Sequence, residues 1–136
     1  MIKNYYYLII GILSILFSFT HALNGQTVVL PLIDASSSLD LITKTTIFYV
    51  WHIITIENLI FGVAFLIMAF NKDRLKVKFT AWMIAMIMIA RWCVIFGSTL
   101  SKNPAGLNDC LMDIIVIIIF VGLIIMGTRV KNNISR

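Results

Sequence analysis

Six side chains able to carry charge or exchange a proton interrupt otherwise apolar sequence: His21, His52, Glu57, Arg91, Asp109 and Asp113. Set in hydrocarbon, each ionised group would cost at least ~2.5–3.5 kcal/mol, so such groups turn inward and pair. The chemistry open to this set is ion pairing, proton exchange and hydrogen bonding to a polar ligand. Folding the chain back about residue 103 sets Asp113 opposite Cys93, two residues from Arg91. That register makes an Arg91–Asp113 ion pair reasonable, with Glu57 as the competing partner. Two acids for one arginine leave a carboxylate that is protonated or matched by another cation.

His52 and Glu57 flank the face of Trp51, Thr55, Asn58 and Gly62, about 140° apart at ~100° per residue. They are therefore not read as a ligand pair. His21 and His52, at similar depth on neighbouring helices, meet the minimum requirement for a haem or metal held between the first two helices. The structural alternatives stand beside these readings. A buried pair can simply fix helix register, the two histidines can be interfacial, and Asp109 can serve as a favourable charge at a helix N-terminus. Neither a CxxC nor a Cys/His metal spacing is present. Cys110 faces Phe96 in the folded-back register, so Cys93 and Cys110 read as small apolar side chains.

The elements carrying these residues are apolar runs at about 5–23, 46–70, 79–99 and 107–128. Each is close to the ~20 residues that cross ~30 Å of hydrocarbon as a helix. Runs such as Ile114 to Phe120 do not alternate, which excludes a membrane β-barrel. Composition agrees, with 60% hydrophobic and 12% charged residues among 136, where a soluble domain carries about a quarter charged. The expected fold is all-α, a single domain over 1–136 forming an antiparallel four-transmembrane-helix bundle. Segment 24–45 is expected to be a long loop outside the cytoplasm. Asn24-Gly25 and Pro31 break it, Val28 to Ile33 could form a short strand or dip into the interface, and Ser38 is the expected cap of a helix starting at Leu39.

Gly11, Ser14, Ser18, His21 and Gly25 fall within about 80° of arc on the first helix. Small and hydroxyl residues on one face predict a close helix-packing seam. Tyr5, Tyr6 and Tyr7 at one end, and Tyr49 and Trp51 at the other, read as interfacial aromatics. Met83, Met86 and Met88 read as ordinary packing.

Basic residues set the orientation. Lys3, the loop group Lys72, Arg74, Lys76 and Lys78, and the tail group Arg129, Lys131 and Arg136 share one side, against Lys44 and Lys102 on the other. By the positive-inside rule both termini are cytoplasmic. Lys3, the apolar run and Thr20-His21-Ala22 also have the pattern of a cleavable signal; the length of the run and its polar stripe favour a retained helix. The net charge of +5 follows this topology and forms no basic patch with interleaved aromatics, so nucleic acid is not an expected partner.

Measured from the outer side, His21 and Asp109 are shallow. His52 and Asp113 are intermediate, Asp113 at roughly 9 Å and Arg91 at roughly 12 Å, with Glu57 deepest. These depths predict a polar cavity in the outer half of a multi-pass membrane protein, and the Ile- and Asn-rich composition suggests the bacterial cytoplasmic membrane. Its function would be to bind a small polar or amphipathic ligand, a proton or a cation, as a transport or sensing subunit. The lining residues would be Glu57, Arg91, His52, Asp113, His21, Asn58 and Asp109. The alternatives are a non-catalytic accessory or scaffold protein, in a homodimer or larger membrane complex, and an enzyme acting on a lipid-like substrate. The last would show a lipid-sized groove beside Glu57 and His52. No catalytic residue, resident cofactor or metal is expected beyond the His21–His52 reading.

Overall fold

A backbone without water must bond within its own segment, and this chain is helical nearly throughout. The computed structural model describes residues 1–130. Helix α1 spans Tyr5–Asn24, a π-helical turn spans Gly25–Val29, and α2 follows directly over Leu30–Ala35. Helix α3 covers Leu41–Phe70 and α4 covers Arg74–Lys102. A 3-10 turn at Pro104–Cys110 leads into α5, Leu111–Arg129. Four stretches are long and apolar enough to cross a membrane: Tyr5–Ala35, Leu41–Phe70, Leu75–Lys102 and Leu111–Arg129.

The expected loop over 24–45 is mostly helix, and the strand expected at Val28 to Ile33 is absent. Asn24-Gly25 looks like a turn and Pro31 like a breaker, yet neither ends the helix. The π turn carries the chain past Gly25, with the Leu30 N–H donating to the Gly25 carbonyl. Pro31 then follows directly after the π turn, in the first turn of α2. Within 24–45 only residues 36–40 lie outside helix.

Both later long helices start earlier than hydropathy suggests, because an aspartate caps each one. The Asp40 carboxylate accepts from the Thr43 backbone N–H at 2.7 Å, so Asp40, not Ser38, fixes the start of α3. Ser38 instead shares a hydroxyl hydrogen bond with Ser36 at 2.9 Å. Asp73 accepts from the Lys76 N–H at 3.3 Å, which places the basic residues from position 74 onward on α4 itself. These backbone hydrogen bonds to the charged form hold both carboxyls below the ordinary carboxylate range.

The chain forms two compact units, one of Met1–Ile10 with Ile67–Arg136 and one of Gly11–Leu66. In the first, Asn4 ties three segments together at one end. Its backbone N–H and that of Lys3 donate to the Ala69 carbonyl at 3.1 and 2.8 Å. Its side-chain amide donates to the Gly127 carbonyl at 2.9 Å, and its carbonyl oxygen accepts from the Tyr7 N–H at 3.3 Å. Tyr7 packs directly on Gly127 and is fully buried, so of the expected aromatic belt Tyr5 is exposed and Tyr7 is core. The basic tail residues Lys131 and Arg136 lie outside the described residues.

Candidate functional site

The unit Gly11–Leu66 contains the seam that the small residues predict. Gly11, Ser14 and Ser18 of α1 are buried, as are Thr55, Asn58 and Gly62 of α3. A methyl added at Gly62 would come within 2.6 Å of Ile15 Cγ1 and 3.0 Å of the Gly11 carbonyl oxygen. One added at Gly11 would meet Leu66 at 2.7 Å. The backbones approach this closely only because both positions lack a side chain. The Ser18 hydroxyl then reaches the Thr55 carbonyl at 2.8 Å.

Toward the start of α3 the seam becomes aromatic. The His21 ring lies flat on the Trp51 indole, with centroids 4.4 Å apart and planes at 6°. The indole N–H donates to the His21 carbonyl at 3.1 Å, and Gly25 leaves room for the same indole. His52 has different partners. Its Nε2 lies 3.0 Å from the Gln26 amide nitrogen, and Phe48 meets its ring edge-on at 4.6 Å. The two imidazoles thus serve separate contacts. Among the described residues there is no group of three His, Cys, Asp or Glu side chains that would hold a metal ion.

Two concavities flank this region. The larger, about 580 Å³, runs along α3 and is bordered by Phe48, Tyr49, His52, Ile53, Ile56, Glu57, Ile60 and Phe61. These positions form two adjacent rows at i, i+4 spacing, and the wall is almost wholly apolar. His52 and Glu57 are its only ionisable groups besides the Tyr49 phenol. Sequence geometry puts those two on opposite flanks of one helical face, yet both border the same groove, because the groove covers a wide arc of α3.

The smaller concavity, about 380 Å³, lies between α2 and the start of α3, with Gln26, Asp34, Lys44, Thr45 and Phe48 on its wall. The Lys44 ammonium donates to the Asp34 backbone carbonyl at 2.6 Å, the favourable placement of a cation at the C-terminal end of a helix. Treating 24–45 as a loop hid this pocket. The signal present in the sequence was the uninterrupted apolar run of Val28, Val29 and Leu30 leading to a proline placed where a helix tolerates it.

The other expected site residues belong to the second unit. Arg91 is half-buried on α4. One residue on, Trp92 stacks on Phe96 at 5.1 Å, and its indole N–H is buried without a hydrogen-bond partner among the described residues. The α4–α5 turn differs from a simple fold about residue 103, because the 3-10 segment consumes seven residues. Cys110 consequently sits 3.5 Å from the Thr99 hydroxyl rather than opposite Phe96. Asp113 is exposed and takes no ion pair among the described residues, so the Arg91–Asp113 bridge drawn from the simple hairpin is not formed there. Cys93 is exposed and Cys110 buried, both as free thiols. The Asp109 side chain lies outside the described residues.

No protein-family model, curated protein or solved structure matches this chain.

Proposed function

We propose that this protein is an antiparallel four-helix membrane protein with both termini cytoplasmic, and that it binds a small amphipathic ligand through the groove along α3. The contacts of the α1–α3 seam support the antiparallel arrangement. They pair Gly11 with Leu66 and Gln26 with His52, running in opposite directions along the two helices. The distribution of Lys and Arg supports the orientation.

One observation carries the binding function: an apolar groove of about 580 Å³ with His52 and Glu57 on its wall. Its volume suits a small organic ligand. Its chemistry suits an apolar body with one polar end, because a wholly polar ligand would find few partners along the isoleucine rows. This departs from the expected polar cavity and follows instead the expectation of a lipid-sized groove beside Glu57 and His52, which favours a lipid-like ligand. The competing reading is an accessory protein whose polar groups only pack helices, and the hydrogen bond from Ser18 to Thr55 is of that kind.

Binding of a fluorescent fatty-acyl probe to protein in nanodiscs separates the two. Ile56 is 52% exposed, so Ile56→Trp fills the groove without entering the core. Ile56→Trp is expected to weaken probe binding about tenfold or more. If it binds the probe as the wild type does, the accessory reading replaces this one.

A further inference from the structure

The two concavities of the unit Gly11–Leu66 are not independent. Phe48 borders both. Gln26 borders the smaller one and is hydrogen-bonded to His52, which borders the larger. A pocket with Asp34 and Lys44 on a partly apolar wall and a nearly wholly apolar groove therefore adjoin across a divide made of Phe48 and the Gln26–His52 pair.

The dimensions fit one kind of occupant. From Phe48 to Phe61 the groove follows α3 for thirteen residues, roughly 20 Å at ~1.5 Å per residue. Half of a bilayer's ~30 Å hydrocarbon core is about 15 Å. The groove thus has the length of one leaflet's acyl chains plus part of its interface. Lys44 lies a further four residues, about 6 Å, along the same helix, at the level where a headgroup would sit.

The charges of the pocket select among headgroups. One cation, Lys44, and one anion, Asp34, stand on its wall. The Lys44 ammonium uses one of its three donors on the Asp34 backbone carbonyl, which leaves two for a ligand. That contact goes to the main chain, so the exposed Asp34 carboxylate keeps its own acceptor sites. A bare anion would meet Lys44 but be repelled by Asp34, and a bare cation the reverse. A headgroup carrying both signs satisfies the two together.

Resting on the groove reading above, we infer that the α2–α3 pocket is the headgroup subsite of the α3 groove. Its occupant is a zwitterionic phospholipid whose phosphate meets Lys44, whose ammonium meets Asp34, and whose acyl chain passes Phe48 into the isoleucine rows. Non-specific lipid coating would show no headgroup preference, and that difference makes the assignment testable.

The test is native mass spectrometry of the full chain, extracted from nanodiscs of equimolar phosphatidylethanolamine and phosphatidylglycerol. The wild type is expected to retain phosphatidylethanolamine at least about fivefold over phosphatidylglycerol. Asp34→Asn keeps the carbonyl that Lys44 contacts. It should abolish the preference, or turn it toward phosphatidylglycerol, while total lipid retained is unchanged. Lys44→Gln should reduce retention of both lipids. A wild-type ratio equal to that of the nanodisc, or an Asp34→Asn ratio equal to the wild type's, overturns the headgroup assignment. Ile56→Trp should strip retained lipid whatever its headgroup; if it does not, the groove reading itself fails, separately from the headgroup assignment.

Discussion

Replacing Gly62 by alanine puts the α1–α3 seam under direct test. The new methyl would stand 2.6 Å from Ile15 Cγ1 and 3.0 Å from both the Ile15 amide nitrogen and the Gly11 carbonyl oxygen. Comfortable carbon contacts lie at about 3.5–4.0 Å. The Ile15 side chain can rotate, but backbone atoms cannot, so the helices must part by roughly 0.5–1 Å. A gap of that size forfeits about a quarter to a half of the dispersion attraction along the contact. Overpacking of this kind costs typically 1–3 kcal/mol. The Ser18–Thr55 hydrogen bond, now 2.8 Å, would also stretch past its useful range, losing about 0.6 kcal/mol by the average for membrane helices. The expected destabilisation is therefore about 2–3 kcal/mol. Reversible unfolding in mixed detergent and SDS micelles, followed by tryptophan fluorescence, would measure it. Ile60→Ala is the control, since Ile60 is 59% exposed and should change little. Adding Ile15→Ala to the glycine variant removes the side-chain clash but not the backbone ones, so rescue should be partial. A Gly62→Ala protein within about 0.5 kcal/mol of wild type would refute the close seam.

Other outcomes follow from single contacts. Asn4→Ala removes the donor to the Gly127 carbonyl at a site 1% exposed, and should cost about 1–3 kcal/mol in the same unfolding assay; Asn4→Asp, which has no amide donor, should not restore the loss. Asp40 has its folded pKa lowered from 3.8 by the Thr43 backbone N–H. Its contribution is thus complete above the unfolded value and lost as pH falls through the folded one. Amide exchange at Thr43 and Lys44, corrected for intrinsic rates, should accelerate on acidification below that range, and Asp40→Ala should abolish the pH dependence. In a background lacking Cys93 and Cys110, Ser37→Cys should react with an impermeant maleimide in intact cells and Asp73→Cys should not. The reverse labelling would invert the proposed topology.

Much of the architecture is legible in the residues. A long apolar run without alternation leaves only a helix as a spanning structure, and four such runs give four spans. The seam is legible because Gly11, Ser14 and Ser18 recur at helical spacing, and the complementary face of Thr55, Asn58 and Gly62 does the same. The site is less so. Segment 24–45 was misleading because Asn24-Gly25 and Pro31 are turn signals only when the backbone has no other way to continue; a π turn supplied one. Tyr7 resembles the exposed Tyr5 in type, and only the close approach of Gly127 makes it core. The α4–α5 register followed from the number of residues in a 3-10 turn, which residue type does not specify.

By itself, then, the chain determined its solvent, its spans, its expected orientation and the two faces that join α1 to α3, because each depends on periodicity and composition along one helix. Tertiary structure decided that Asp34 and Lys44 share a pocket, that His52 answers to Gln26 and His21 to Trp51, and that His52 and Glu57 border one apolar groove. Concavities are made where neighbouring side chains fail to fill space. For the pocket of Asp34 and Lys44, that depends on how α2 is set against the start of α3, at a resolution finer than helical periodicity can give.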